Sequence, residues 1–138
     1  MTHINIYLTF NGNCREAMQF YKECLGGELF FQTVGDSPVK EDVPEALKNY
    51  ILHSSLTKGT MNIMASDMTS GDGFVTGNNM SLMLNCSSEA EARIFYGNLC
   101  EGGVATHPLG ISFWGALFGT LTDKFGNQWM LHFDETQM

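Results

Sequence analysis

Four histidines, four cysteines and two tryptophans carry most of the chemistry open to this chain of 138 residues. His53 and His132 lie in stretches with strand-like patterning. An imidazole so placed can contact a ligand or pass a proton. It can equally be a strand histidine hydrogen-bonded to a nearby loop. His3, near a terminus, and His107, near a loop, are expected to be solvated. Cys14, Cys24, Cys86 and Cys100 form no CxxC pair, so neither a zinc knuckle nor a dithiol redox centre is indicated. No cysteine shows a nucleophile–base spacing, and all four read as reduced thiols that pack as small hydrophobes. An indole offers a flat apolar area and one donor. Trp129 is assigned to the core. Trp114 is the better pocket candidate, because Gly115 beside it permits close backbone approach. Tyr7 could offer a phenol to a ligand, and Met64, Met83 and Met130 could line an adaptable apolar pocket or simply fill a core. Asp67 could bind a ligand cation or fix a turn, and Asp123 reads as a turn residue.

Bulk properties narrow the functions. With 7 Lys+Arg against 15 Asp+Glu, the net charge is −8. Such a surface repels phosphate backbones and anionic headgroups, so neither nucleic acid nor a membrane is expected as a partner. A composition that is 43% hydrophobic, with 10 Phe and 9 Met, belongs to a chain with a real core. No apolar run is long enough to span a bilayer. The N-terminal stretch alternates like a strand and lacks the pattern of a signal peptide, so a cytoplasmic location is expected.

The elements that must position these residues occur twice. Phe20-Tyr21 returns as Phe95-Tyr96, Glu16-Ala17 as Glu91-Ala92, and Gly26-Gly27 as Gly102-Gly103. An offset of about 75 residues is too long for a solenoid repeat and indicates a duplicated module. Residues 3–10 read as a strand, and Asn13 with Glu16 reads as a capping box opening a helix. Ala17, Phe20, Tyr21, Cys24 and Leu25 give that helix a buried face, and Gly26-Gly27 ends it. Strands are expected at 28–34, 49–57 and 60–66, with an acidic loop at 35–48. Residues 67–79, polar and glycine-rich, read as the linker. The second module, 80–138, repeats the plan: a strand at 80–86, a helix at 88–101 capped by Ser88 with Glu91, and strands at 103–108, 113–122 and 127–134. Each module (the first is 1–66) is thus βαβββ in an α+β fold. Its helix covers one face of a mainly antiparallel sheet and its other face curls round a cavity, the two together forming a cup.

This order, with the stretch YLTFNGNCREAMQFYKECLGGEL, resembles the vicinal-oxygen-chelate (glyoxalase/bleomycin-resistance) superfamily. Ile51-Leu52-His53, Met64-Ala65-Ser66-Asp67, Phe113-Trp114-Gly115 and Leu121 to Met130 are similar to its PhnB-like branch. The resemblance implies a homodimer. It also implies metal-ligand positions on the first and last strand of each module, which here fall on Ile6 or Tyr7, Met64, Leu82 or Ser81, and Met130. Aliphatic carbons and thioethers are poor ligands for a hard or borderline divalent ion, so no metal and no other cofactor is expected. The function that follows is metal-independent binding of a small organic molecule, with Tyr7, His53, Met64, Trp114, Met130 and His132 as pocket candidates. The alternatives are a metal-dependent lyase, isomerase or dioxygenase using other ligands, and a protein-interaction module with a vestigial cup.

Overall fold

The computed structural model describes residues 2–38, 41, 44–68 and 73–135. It separates into two units, residues 1–74 and 75–138. The first contains β1 (Ile6–Phe10), α1 (Cys14–Leu25), β2 (Glu28–Thr33), β3 (Ile51–Lys58) and β4 (Met61–Asp67). The second contains β5 (Leu82–Asn85), α2 (Glu89–Cys100), β6 (Val104–Ile111), β7 (Leu117–Thr122) and β8 (Gln128–Phe133). The sheet orders are β1-β4-β3-β2 and β5-β8-β7-β6, the same topology twice. In each, the first and last strands run parallel and the other neighbours antiparallel. Phe20 and Phe95 are each the seventh residue of a twelve-residue helix, as the repeat requires.

The two faces of each sheet follow from the period-2 alternation of strand side chains. In the first unit the Cys14 thiol of α1 lies 3.5 Å from the Ser54 hydroxyl. Ser54, with its register partners Ala65 and Phe31, therefore faces the helix. The residues between them, His53, Ser55, Met64 and Ser66, look the other way. In the second unit a Cβ at Gly119 would meet the Tyr96 ring of α2 at 3.0 Å. Gly119 thus sits under the helix, along with buried Leu121, Trp129 and Leu131, and Phe118, Thr120, Met130 and His132 occupy the open face.

The repeated glycines have a steric cause. A Cβ at Gly27, where φ is +105°, would come within 2.7 Å of the Thr57 carbonyl oxygen, and one at Gly103 would collide with that of Thr122. Each glycine lets the chain leave its helix and enter the sheet against the neighbouring hairpin. Lys58 Nζ then donates to the Leu25 carbonyl at the C-terminal end of α1, at 2.8 Å.

Three local expectations need correction. The Asn13 side chain makes no capping bond to α1. Instead the buried carboxylate of Asp67, at the end of β4, accepts from the Gly12 and Cys14 amides, both at 2.9 Å, through Oδ1. Its Oδ2 accepts from the Ile51 amide at 2.8 Å. By contrast, the Ser88/Glu91 box forms as expected: Ser88 Oγ accepts from the Glu91 amide and Glu91 Oε1 from the Ser87 amide. Second, Phe113, Trp114 and Gly115 lie in the turn between β6 and β7, not in a strand, with Gly115 at φ +91°. Third, β4 runs on to Asp67, one residue into the stretch read as linker, of which residues 69–72 lie outside the described set.

Asp67 joins three chain segments by charge-assisted bonds, whereas Ser88 closes one exposed helix end. Asp67→Ala should therefore lower unfolding stability by about 3 kcal/mol, since buried amides lose their acceptor. Ser88→Ala should cost about 1 kcal/mol, the usual loss for a cap. Urea denaturation of the two variants measures the difference, and equal losses would contradict this account.

Candidate functional site

The open face of the first unit carries two rows of side chains across its sheet. Register places Tyr7, Met64, Ser55 and Phe30 in one row; beyond it on the same face Thr9 pairs with Ser66 and His53 with Gln32. The rings of Tyr7 and His53 approach to 6.2 Å between centroids, tilted by 33°. Tyr7 is half exposed, and His53 and Met64 are partly buried. Tyr7, His53 and Met64 thus share one face.

The second unit carries the corresponding rows Met83, Met130, Thr120 and His107, then Asn85, His132, Phe118 and Gly110. His132 Nδ1 lies 3.2 Å from Asn85 Oδ1. Trp114 reaches back from its turn to pack edge-on to Phe118, at 5.4 Å between centroids, and the His107 ring also lies beside Phe118, at 6.0 Å and tilted by 50°. Trp114, Met130 and His132 therefore belong to this second face. His107, expected to be solvated, is exposed in β6, and it also takes part in the aromatic cluster, which the sequence did not indicate. Sequence reasoning missed Phe118 and Asn85, whose places beside His132 are set by sheet register and had no signal in the sequence.

Tyr96 supports this arrangement from the helix side. Its hydroxyl lies 2.9 Å from the His107 carbonyl oxygen and 3.0 Å from that of Thr120, and donates towards both. These carbonyls flank the irregular register of β6 around His107, where the ladder is interrupted. Burial pushes the Tyr96 phenol up to about 12, so it stays a proton donor at any ordinary pH.

The positions implied for a metal do not suit one. Parity places Tyr7 rather than Ile6 on the first open face. Of Leu82 and Ser81, Leu82 turns towards α2 because it pairs with buried Trp129, and Ser81 precedes β5. The open-face residue opposite Met130 is therefore Met83, which sequence reasoning did not place there. Tyr7 stands opposite Met64, and Met83 opposite Met130. One phenol and three thioethers cannot replace the hydration shell of a divalent ion. Among the described residues no group of three or more His, Cys, Asp or Glu side chains is placed to hold a metal. No helix of the described residues is long and apolar enough to cross a membrane.

The thiols are placed for packing. Burial, with Asp67 adding repulsion, raises Cys14 to about 11, although its Ser54 hydrogen bond works against the shift. Burial and the Glu91 charge likewise raise Cys86 to about 11, and burial raises Cys100. A thiol kept protonated at neutral pH is a weak nucleophile.

Two βαβββ units, each with parallel first and last strands and one uncovered sheet face, define the glyoxalase/bleomycin-resistance class of vicinal-oxygen-chelate folds, in its PhnB-like branch. The chain belongs to the family described as 3-demethylubiquinone-9 3-methyltransferase, whose model matches residues 2–132. It is 32% identical over 136 residues to protein YjdN of Escherichia coli K12, covering 91% of each chain. The crystal structure of protein PA1353 from Pseudomonas aeruginosa is similar at a TM-score of 0.87 and 41% identity, over 97% of this chain and 98% of that one. A putative 3-demethylubiquinone-9 3-methyltransferase, the PhnB protein of Bacillus cereus, shares the fold at a TM-score of 0.76 and 24% identity, over 96% of this chain and all of that one (100%).

The raised thiol values have a consequence for pH dependence. A group whose pKa rises on folding contributes stability that is complete below its unfolded value and lost as pH climbs through the folded one. For Cys14 and Cys86 that window runs from 9.0 to about 11. Urea midpoints should therefore hold up to about pH 9 and fall between there and about pH 11. Cys86→Ser should shallow the fall. A flat profile across that window would show that the thiols are not desolvated as described.

Proposed function

We propose that this chain binds a small organic molecule on its uncovered sheet faces and does so without a metal. The observation that supports this reading most strongly is the content of those faces. Where a metal site would need imidazole and carboxylate ligands, the strands offer Tyr7, Met64, Met83 and Met130. Around them stand aromatic rings and single imidazoles: Tyr7 with His53, and Trp114 and His107 with Phe118. Polarizable thioethers and ring edges form an adaptable apolar surface, and a few hydrogen-bonding groups orient what lies on it. Methyl transfer, which the family's description names, would need a second bound cofactor.

A homodimer and a cytoplasmic setting are part of the same proposal. Large apolar side chains left exposed in the single chain, such as Phe113 at 97%, support the first. Four free cysteines support the second. Light scattering at micromolar concentration should give the mass of two chains; a single-chain mass would count against the dimer.

Protein purified without chelator should carry well under one zinc, nickel, manganese or iron per chain by elemental analysis. EDTA should leave its melting temperature unchanged, since no metal binding is linked to folding. Native mass spectrometry against an apolar compound library should reveal bound adducts. Trp114→Ala should weaken binding on the second unit's face by about 1–3 kcal/mol, the scale of a lost aromatic contact. Stoichiometric metal that disappears in a His53→Ala variant would replace this reading with a metalloenzyme.

A further inference from the structure

The second unit's open face differs from the first in one respect that bears on what it can hold. Strands β5 to β8 contain no Asp, Glu, Lys or Arg, although the chain has 15 acidic and 7 basic residues. The first unit's open face carries Glu28, on the same side of β2 as Phe30 and Gln32, whereas Lys58 and Asp67 turn towards the helix. Polarity on the second face comes only from neutral amides, hydroxyls and the two imidazoles. A face built this way does not select an ion by a fixed opposite charge. It selects by shape and by directed hydrogen bonds.

One such hydrogen-bonding position is fixed in direction. An amide oxygen only accepts, so with Asn85 Oδ1 turned to His132 Nδ1 at 3.2 Å, the tautomer that satisfies the contact carries its proton on Nδ1. In the neutral ring that leaves the lone pair on Nε2, at the end away from Asn85. Beside His132 in the same cross-strand row stands Phe118, and beside Phe118 stands Gly110. A Cβ added at Gly110 would meet no atom within 4 Å, so the backbone there borders open space. Trp114 and His107 border Phe118. With strands about 4.8 Å apart, the four-residue row spans roughly 14 Å, enough for a two-ring aromatic system.

We propose that this row binds a neutral planar aromatic group that carries a hydroxyl. The rings lie over Phe118 and Gly110 against Trp114, and the hydroxyl donates to His132 Nε2. Asn85 is a positioning residue that fixes the tautomer, and Tyr96 is one that holds the β6 irregularity carrying His107. This assignment rests on the small-molecule reading above and adds the ligand class and the residue that discriminates it.

The test uses the whole chain and two probes of nearly equal shape, 2-naphthol and its methyl ether 2-methoxynaphthalene, which has no donor. Amide chemical shifts are followed by NMR during titration. Ring currents from 2-naphthol should move the Gly110 and Gly115 amides, and its dissociation constant should be about tenfold lower than that of the ether, the discrimination of one directed hydrogen bond. His132→Leu should erase the preference while ether binding persists. His132→Gln, whose side-chain oxygen accepts, should restore part of it. Asn85→Leu, at an exposed position, should reduce the preference about threefold and so tests the tautomer lock independently of His132. Equal affinity for the two probes in the unaltered chain, with Gly110 still shifting, would overturn the acceptor role while leaving small-molecule binding intact. Shifts confined to Tyr7, His53 and their neighbours would overturn the placement, again leaving the broader reading standing. No shift with either probe would overturn this inference, and if the library screen also shows no adduct, the broader reading falls with it.

Discussion

The first unit depends on one buried carboxylate. Asp67 ends β4, yet it receives amides from the start of α1 and from the first residue of β3. The start of a helix presents unpaired N–H groups and the positive end of the helix dipole, which is what a desolvated anion requires. The same contact fixes where α1 begins, how β3 enters the sheet and where β4 stops. The parallel pairing of β1 with β4 brings Phe10 opposite Asp67 and so places the carboxylate beside the chain that leads into the helix. Removing the charge would leave three amide donors without their acceptor.

The second unit reaches the same topology by other local means. Its helix is capped from within by Ser88 and Glu91, and its final hairpin is organised by Asp123. That carboxylate accepts from the Phe125 and Asn127 amides through Oδ1 and from the Trp129 indole, at 2.8 Å, through Oδ2. Trp129 is thereby buried with its only donor satisfied, the condition under which an indole belongs in a core. What the two units share is steric: a glycine after each helix, without which the chain could not pass the opposing carbonyl. Topology in this duplicated chain is thus preserved by backbone clearance, while the polar contacts that lock it differ between the halves.

The chemistry of the open faces follows from parity. In each sheet the helix claims one set of alternating residues and buries it, so the other set is free to vary without loss of the core. On that set the chain carries thioethers, hydroxyls, aromatic rings and isolated imidazoles. Thiols elsewhere are kept protonated by burial. If the faces hold a small molecule as proposed, contact area and directed hydrogen bonds are what these side chains supply.

Much of this was legible in the amino-acid sequence because it depends on local patterning. The 3-4 spacing of Ala17, Phe20, Tyr21, Cys24 and Leu25, the Ser88–Glu91 box and the repeated Gly-Gly pairs are short-range signals, and the βαβββ order follows from them. The apolar nature of Met64 and Met130 at two of the implied ligand positions could also be read directly. Only the tertiary structure decided the rest. Asp67 caps a helix that begins 53 residues earlier, which no local window contains. Whether Ile6 or Tyr7 faces outward, and that Leu82 does not while Met83 does, turned on a one-residue register that reverses every side chain in a strand. Phe118 became central because Trp114 folds back onto it from a tight turn, and His132 meets Asn85 because β5 and β8 run parallel with the two residues in register. Sequence patterning specifies which face of each element is buried; the meeting of side chains from distant strands is set by register and pairing, which exist only once the sheets have formed.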